Sequence, residues 1–454
     1  MLPAPFVHQM KALLGAEYAD FAAALKTPPP VSIRFQKGLD AGLMQAGFAP
    51  LTLTPIPWHP QGYYLSERPQ FTLDPRLHAG AYYVQEASSM FLYQALVQHA
   101  DFSKSLKVLD MCAAPGGKST LIADLLNPDS LLVANEVIRS RVGVLRENLE
   151  KWGVPNVAFT CAESEVFAEN LPEFFDIVVT DAPCSGEGLF RKDPDATKEW
   201  STDNVYMCAG RQQRILTAAV ETLAPGGLLI YSTCTYNHLE NEDNTKWLQA
   251  EHGLELLSIR IDPAWGIIEN QGGYHCYPHQ VKGEGFYLAA FRKKAGPISK
   301  RNIPSGFISL KPLPKAGLPA VHGWLNPEWP VKLFQIPSGE ILALPAALEN
   351  AFLCIDKAIK SKWFGVFVGE IKGKDLIPAH PFALSPLLQP GLVLDVSRDQ
   401  ALLFLKKEVF ELPAGTPNGW TLVCYQGHRL GWIKVLPNRM NNYLPPDRRI
   451  RMDL

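Results

Sequence analysis

The sequence lacks the features of a secreted, membrane-spanning or disulfide-stabilised protein. Its eight cysteines are irregularly spaced and form no C-x-x-C pair, which argues against a disulfide framework and against a structural zinc site. No basic segment leading into an apolar core opens the chain, and no run of about 18 apolar residues occurs, so we expect neither a signal peptide nor a membrane span. These absences predict a reduced, cytoplasmic compartment in which thiols are free to react.

The sequence also lacks an excess of positive charge and the common phosphate-binding loops. The formal net charge of -2 excludes a protein that coats nucleic acid through overall charge, but not one with local basic patches. The segment 110–119 joins a predicted strand to a helix, yet it is neither a Walker A loop, since Cys112 replaces the first glycine, nor a G-x-G-x-x-G loop. Its small residues still let a ligand approach the backbone and the helix N-terminus.

Strand-like and helical segments alternate along the middle of the chain, which indicates an α/β fold with a parallel sheet and helices on both faces. We expect an α+β N-terminal extension at 1–100, a catalytic domain at 101–295, a linker with a first accessory domain at 296–382, and a β-rich C-terminal domain at 383–454. The segment 224–227 is predicted to be a turn. The predicted strands of the middle region are Lys107–Met111, Leu131–Glu136, Asn156–Thr160, Phe175–Asp181, Leu228–Thr235 and Phe286–Lys293.

Two acidic residues follow successive predicted strands. Glu136 ends the second strand, where a carboxylate can accept hydrogen bonds from both ribose hydroxyls of an adenosine. Glu163 follows the third strand and is positioned for the edge of an adenine. Each of them alone is more often a surface carboxylate. Together, at the ends of neighbouring strands, they favour an adenosyl ligand that lacks a pyrophosphate.

Two cysteines that close apolar strands are the strongest indication of chemistry. Cys184 lies in the segment 181–186 and Cys234 in the segment 232–235, and ligands of open α/β sheets bind beyond the carboxyl ends of the strands. A thiolate that adds to C6 of a cytosine makes C5 able to take a methyl group from a sulfonium donor. Asp181, an acid near N3, would stabilise the charge in the ring, and the second thiol would assist product release. A lone buried cysteine is usually inert, and we interpret the others in that way: Cys161, Cys208, Cys276, Cys354 and Cys424.

Three segments, in this order, resemble the signature loops of RNA 5-methylcytosine methyltransferases, and in particular the bacterial ribosomal RNA enzymes of the RsmF type. They are 112–118, 181–186 and 232–235, and the resemblance extends from about Val31 to Lys294. It implies a class I, Rossmann-like core that uses S-adenosylmethionine, followed by a PUA-like RNA-binding domain. It also implies 5-methylcytidine in 16S ribosomal RNA as the product.

The resemblance assigns roles to individual residues. Cys234 becomes the nucleophile and Cys184 the residue of product release. Two positions depart from the family pattern: Glu163 stands where the family usually has aspartate, and Arg34-Phe35-Gln36 replaces an RNA-facing Arg-x-Asn. The residues implied to bind S-adenosylmethionine are Cys112, Ala113, Ala114, Pro115, Gly116, Gly117, Lys118, Glu136, Glu163 and Asp181.

Further residues suggest contacts with RNA. Arg191 and Lys192 are candidates for phosphate contacts or for a solvated loop, and His279 with 284–286 either shapes a cytosine pocket or forms a turn. Basic residues interleaved with aromatics near the C-terminus suit phosphate contact and base stacking. They are Arg429, Lys434, Arg439, Arg448, Arg449 and Arg451, among Tyr425, Trp432 and Tyr443.

Three alternatives stay open at this point. Cys184 is the nucleophile if the chemistry is that of DNA cytosine methyltransferases, which also use a Pro-Cys pair. In the second alternative, the substrate is transfer RNA instead of ribosomal RNA. In the third, the protein is a catalytically silent ribosome-assembly factor. We expect ribosomal RNA or the small ribosomal subunit as the partner, no membrane, and a monomer.

Overall fold

The computed structural model describes residues 2–193, 195–297 and 303–452. The N-terminal region combines short helices with an antiparallel sheet in the strand order β2-β3-β1-β4. Its elements are α1 Ala4–Leu14, α2 Tyr18–Ala24, β1 Val31–Phe35, α3 Ala41–Ala46, β2 Leu53–Pro55, β3 Gly62–Leu65, α4 Pro75–His78, β4 Tyr82–Val84 and α5 Leu92–His99.

The middle of the chain alternates strands and helices, as the hydrophobic pattern predicts. Its strands are short apolar runs, and β6 is buried over its whole length. The elements are β5 Lys107–Asp110, α6 Gly117–Leu125, β6 Leu131–Asn135, α7 Arg139–Lys151, β7 Val157–Thr160, α8 Ser164–Asn170, β8 Phe175–Asp181, α9 Ala196–Glu199, α10 Thr202–Thr222, β9 Leu223–Thr233, α11 Glu242–His252, β10 Glu255–Leu257, β11 Ile268–Asn270, β12 Gly273–Cys276 and β13 Phe286–Arg292.

The C-terminal region builds two smaller sheets, in the orders β14-β15-β16-β18-β19 and β20-β21-β22-β23. Its elements are β14 Lys311–Pro312, α12 Leu318–His322, β15 Val331–Gln335, β16 Glu340–Pro345, α13 Glu349–Ala358, β17 Lys362–Phe364, β18 Val366–Lys372, β19 Asp375–Pro378, α14 His380–Leu384, β20 Leu392–Asp395, α15 Arg398–Leu405, β21 Gly419–Tyr425, β22 His428–Leu436 and β23 Arg439–Asn442. In the part of the chain described here, no helix is both long and apolar enough to cross a membrane.

The central sheet has the strand order β11-β12-β13-β9-β8-β5-β6-β7-β17, with β10 beside β13. The five strands β9, β8, β5, β6 and β7 are mutually parallel, which confirms the predicted parallel sheet for this core. The strands on either side are antiparallel. Apolar side chains of the sheet form two separate buried clusters. Because the five strands are parallel, their carboxyl ends meet at one edge.

One strand of this sheet comes from much later in the chain. Strand β17 pairs antiparallel with β7, with Lys362 opposite Thr160 and Phe364 opposite Ala158. The edge of a sheet exposes unpaired backbone groups, and a covering strand satisfies them. The sheet therefore extends beyond the bounds of 101–295 that we expected for the catalytic domain.

The predicted turn at 224–227 is wrong, because this segment lies inside β9. The backbone explains the difference. Gly226 N–H donates to the carbonyl of Lys294 at 3.2 Å, and Gly227 accepts from Lys293 N–H at 3.0 Å. Pairing with the two residues that follow β13 thus continues the ladder through residues that would otherwise favour a turn.

Arg34 fixes the N-terminal sheet to the central domain. Its fully buried guanidinium pairs with Asp124 at 2.6 Å, donates to Thr120 Oγ1 at 2.6 Å and lies 4.7 Å from the ring of Trp152. The side chain of Arg34 has no exposed surface and therefore cannot contact RNA.

Candidate active site

A cleft of about 470 Å³ opens beyond the carboxyl ends of the parallel strands. Each strand from β5 to β9 contributes the residues that immediately follow it. The cleft brings together most of the residues that the sequence singled out, namely Cys112, Ala114, Glu136, Glu163, Asp181, Cys184 and Cys234.

The loop between β5 and α6 is held by hydrogen bonds to Asn135 and Asn148. Ala113 N–H donates to the carbonyl of Asn135 at 2.7 Å, and Asn148 Nδ2 donates to the carbonyl of Pro115 at 2.8 Å. Gly116 has φ of 114°, a conformation that L side chains rarely adopt. Ala113, Pro115, Gly116 and Gly117 thus shape the loop without lining the cleft.

Two carboxylates face the cleft from neighbouring strand ends. Glu136 is buried; it accepts from Ile138 N–H at 2.9 Å and pairs with Arg141 at 3.2 Å. Glu163 is exposed and immediately precedes α8. The predicted placement of an acid after each of the two strands is observed.

Asn135 joins three strand ends and was missed by the sequence reasoning. Its Nδ2 donates to the carbonyls of Met111 and Ala162 at 3.1 and 3.0 Å, and its Oδ1 accepts from Thr160 Oγ1 at 2.8 Å. A buried polar residue directly before Glu136 was the available signal, because such groups are almost always satisfied by a specific partner.

Lys118 reaches across the cleft wall to Asp181. Its Nζ lies 2.7 Å from Asp181 Oδ2, and Ser232 Oγ donates to Asp181 Oδ1 at 2.8 Å. Burial lowers the pKa of Lys118, but the Asp181 carboxylate more than offsets this and raises the pKa above its ordinary value. The ring of Phe286 lies 5.2 Å from the same ammonium.

Asp110, at the end of β5, is a second acid beneath the site. It is fully buried, and its Oδ2 accepts from Ser119 Oγ at 2.6 Å. Its Oδ1 has no hydrogen-bond partner within the described residues. Burial raises the pKa of Asp110 to about 7.

The two predicted thiols meet at the end of the cleft. Cys184 Sγ and Cys234 Sγ are 2.9 Å apart, and Cys234 N–H donates to Cys184 Sγ at 3.3 Å. Both cysteines are free and half-buried. The hydrogen bond to Cys234, together with burial, raises the pKa of Cys184 well above its ordinary value.

A buried glutamate ties the two cysteine loops together. Glu187 Oε2 accepts the backbone N–H groups of Tyr236 and Asn237 at 2.9 and 3.1 Å, and its Oε1 accepts Trp200 Nε1 at 3.1 Å. Gly188 N–H donates to the carbonyl of Cys234 at 2.9 Å. The loop after Cys184 is thus fixed directly onto the loop after Cys234.

A second buried glutamate, Glu240, also holds the two cysteine loops. Glu240 Oε2 accepts Ser185 N–H at 3.0 Å and Gln212 Nε2 at 2.6 Å, and its Oε1 accepts Asn237 Nδ2 at 2.7 Å. Gln212 also donates to the carbonyl of Pro183 at 3.1 Å. Burial raises the pKa of Glu240. Both glutamates position the thiols without lining the cleft.

Two of the residues considered for contacts with RNA pair with the protein itself. Arg191 is buried and pairs with Glu284 at 3.0 Å, whereas Lys192 is exposed. His279, also buried, lies 3.0 Å from Glu17. The pair of Arg191 and Glu284 braces the loop after Cys184, which leaves Lys192 as the exposed basic residue of the two.

Some of the basic and aromatic residues near the C-terminus are likewise buried against the protein, and others are exposed. Trp432 is buried and donates to the carbonyl of Ala379, so it offers no face for stacking. Arg448 pairs with Glu150 of α7 at 2.7 Å and holds the last sheet against the central domain. Burial lowers the pKa of Arg448 to about 10. Exposed members remain in Arg439, Arg449, Arg451 and Tyr443.

Three family models match the chain in succession. The N-terminal domain of 16S rRNA methyltransferase RsmF matches residues 2–87, 16S rRNA methyltransferase RsmB/F matches residues 98–292, and the methyltransferase RsmF PUA domain matches residues 392–450. The middle match contains every residue that lines the cleft. The predicted combination of a methyltransferase core, an N-terminal extension and a PUA-like domain is confirmed.

Relatives match over almost the whole length. Ribosomal RNA small subunit methyltransferase F from Cronobacter sakazakii is 38% identical over 98% of this chain and 95% of its own. The protein of that name from Pectobacterium atrosepticum is 34% identical over the same shares. The crystal structure of a methyltransferase homolog protein from Pyrococcus horikoshii is 29% identical with a TM-score of 0.55, covering 63% of this chain and 94% of that one. The chain belongs to the RsmF family of 16S rRNA methyltransferases.

Proposed function

We propose that the protein transfers a methyl group from S-adenosylmethionine to C5 of a cytidine in 16S ribosomal RNA, through a covalent bond between Cys234 and C6 of the base. The observation that carries the proposal is the pair of thiols, 2.9 Å apart, in a cleft that also holds Asp181 and Glu136. Family membership supports RNA methylation and a ribosomal substrate.

The cleft fits S-adenosylmethionine. Its volume of about 470 Å³ lies within the range of small-molecule sites. Glu136 would accept hydrogen bonds from the ribose hydroxyls, Glu163 would meet the adenine edge, and Ile138 with Ile215 would supply apolar walls; all four residues line the cleft. The cofactor supplies an electrophilic methyl group when bound. The carboxylates after β6 and β7 would orient it toward the thiol end.

Cys234 is the better nucleophile because Cys184 keeps its proton. The pKa of Cys184 is raised by its contact with Cys234 and by burial, so its protonated thiol could donate to Cys234 Sγ across the 2.9 Å contact, and a hydrogen bond to a thiolate favours the thiolate. The thiolate is the reactive species of a cysteine. Cys234 Sγ therefore adds to C6 of the cytosine, and the electron pair pushed into the ring makes C5 the methyl acceptor.

The pair of Lys118 and Asp181 balances the charge that the addition places on the ring. Asp181 would lie at N3, where it would share with the ring the proton that the Cys234 thiol loses, and the Lys118 ammonium 2.7 Å behind it would stay paired with the carboxylate. After methyl transfer, a water molecule accepts the C5 proton, the electron pair of the C5–H bond restores the C5=C6 double bond, and the C6–S bond breaks to return the thiolate to Cys234. Cys184, in contact with the same sulfur, assists this release. The target base must be accessible or flipped out, because C6 is attacked from above the ring plane.

The test compares the wild type with Cys184→Ala and Cys234→Ala, using a labelled methyl donor and small ribosomal subunits, on denaturing gels. We expect Cys184→Ala to accumulate a methylated protein–RNA adduct, and Cys234→Ala to give neither adduct nor product. Cys424→Ala removes a buried thiol of the C-terminal sheet and should behave as the wild type. Mapping the labelled nucleotide tests the 5-methylcytidine product.

Other outcomes would select the alternatives. An adduct only with Cys234→Ala would make Cys184 the nucleophile, as in DNA-type chemistry. Preferential methylation of transfer RNA or duplex DNA, offered in parallel with naked ribosomal RNA, would replace the substrate. RNA binding with no methyl transfer by the wild type would indicate an assembly factor.

A further inference from the structure

Helix α10 presents a face beside the cleft that the mechanism does not use. Tyr206 and Met207 are 65% and 57% exposed, and Arg211, also exposed, lines the cleft next to Cys184. Residues three or four apart are neighbours on a helix surface, so Met207 lies beside Arg211 and Tyr206 beside Gly210. We call Tyr206, Met207, Gly210 and Arg211 the α10 face.

Arg211 is an uncommitted charge at the mouth of the cleft. One turn along the helix, Arg214 pairs with Glu165 at 2.9 Å. For Arg211 no ion pair or side-chain hydrogen bond is seen within 2–193, 195–297 and 303–452. An arginine held beside a site without a carboxylate partner suits an anionic ligand, since its planar fork matches phosphate geometry.

Gly210 provides an independent observation. It stands inside a 21-residue helix, where glycine weakens the helix, and a Cβ built on it meets no atom within 4 Å. Packing within the protein therefore does not require a glycine here. The missing side chain at Gly210, between exposed Tyr206 and Arg211, leaves room for a ligand to lie close to the helix.

We infer that the α10 face binds the single-stranded RNA that flanks the target cytidine. Arg211 holds a phosphate next to the target, Tyr206 stacks on a neighbouring base, and Gly210 lets the strand lie against the helix. Aromatic stacking combined with a cationic contact is the usual mode of binding single-stranded nucleic acid. The inference rests on the proposed function, because the proposed reacting base is what brings RNA to this edge of the cleft.

The first test measures the charge. Arg211→Ala should raise the KM for small ribosomal subunits roughly tenfold, and it should reduce the slope of log K against log salt by about 0.7, the value for one phosphate contact to a single strand. The KM for S-adenosylmethionine should not change. Arg260→Ala, which removes an exposed arginine next to α5, is the matched control and should leave the affinity and the slope unaltered.

The second test separates RNA binding from stability. Gly210→Gln should raise the Tm, because glutamine favours helix and open space surrounds the position, and should nevertheless weaken binding of small ribosomal subunits. Gly143→Gln in α7 is the control, since Gly143 is also exposed with nothing within 4 Å of a built Cβ. It should raise the Tm with unchanged binding. Tyr206→Ala should weaken binding roughly tenfold, the effect of losing one stacked base.

The outcomes that overturn the inference are distinct from failure of the proposed function. A higher KM for S-adenosylmethionine with an unchanged salt slope in Arg211→Ala would assign Arg211 to the donor. Unchanged RNA binding in all three variants would also refute the inference, even if methyl transfer is normal. If the wild type binds small subunits but transfers no methyl group, the proposed function fails, and the same binding assays still decide whether the α10 face contacts RNA.

Discussion

Replacing Glu187 by glutamine should destabilise the protein and disable the thiol pair together. The carboxylate has no exposed surface, and its Oε2 accepts two backbone N–H groups, from Tyr236 and Asn237. The glutamine amide keeps one acceptor oxygen. Its NH2 group takes the place of the other oxygen and faces N–H donors, with which it cannot form hydrogen bonds. Two hydrogen bonds to a charged group contribute about 1.5–3 kcal/mol each. We therefore expect the free energy of unfolding to fall by about 3 kcal/mol or more.

Urea unfolding followed by tryptophan fluorescence gives this difference, and labelled methyl transfer gives the activity. The turnover of Glu187→Gln should fall because the loop after Cys234 loses its anchor, whereas the affinity for S-adenosylmethionine should stay unchanged. Glu199→Gln makes the same chemical change at an exposed position of α9 and should alter neither quantity. A loss of stability below about 1 kcal/mol would show that Glu187 does not hold the two loops together.

Three further predictions concern the acids and the domain contact. Burial raises the pKa of Asp110 to about 7, from 3.8. Between these two values the folded protein binds a proton that the unfolded chain does not, so the stability should fall as the pH rises through this range. Asp110→Asn should abolish this fall, which is measured as Tm against pH. Lys118→Met should lower turnover roughly 10²-fold in assays of methyl incorporation, because Asp181 loses the cation that pairs with it. Arg448→Glu, set against Glu150, should detach the last sheet and enlarge the radius of gyration in small-angle scattering, while exposed Arg449→Glu should not.

The sequence predicted the parts of the site that local pattern determines. Strand ends, the glycine-containing loop and the two thiol motifs are each contained in a few consecutive residues, so Cys184 and Cys234 could be placed at one edge of the sheet. The contact between Lys118 and Asp181 joins two separate predicted segments. Its formation depends on how far one strand end lies from another, which periodicity does not report.

The wrong predictions have a common physical origin. Arg191 and Trp432 were interpreted as surface residues from their type and neighbours, yet both found buried partners, Glu284 and the carbonyl of Ala379. Charge and aromatic content indicate what a side chain can contact, but not whether the partner belongs to RNA or to the protein. The anchoring role of Glu187 was missed for the same reason, because its partners lie in another loop.

The pairing of β17 with β7 has a consequence for the order in which the chain is made. The ribosome completes β7 at Thr160 and delivers its partner strand only at Lys362–Phe364, a delay of about 10 to 40 s at ordinary elongation rates. Once β8, β9 and β13 have also been made, the sheet can form, and it carries an open edge at β7 until β17 arrives; such an edge is a template for pairing with other chains. A transcript cut short in the linker would leave that edge open permanently. The accessory region therefore supplies the last strand of the central sheet and covers its edge.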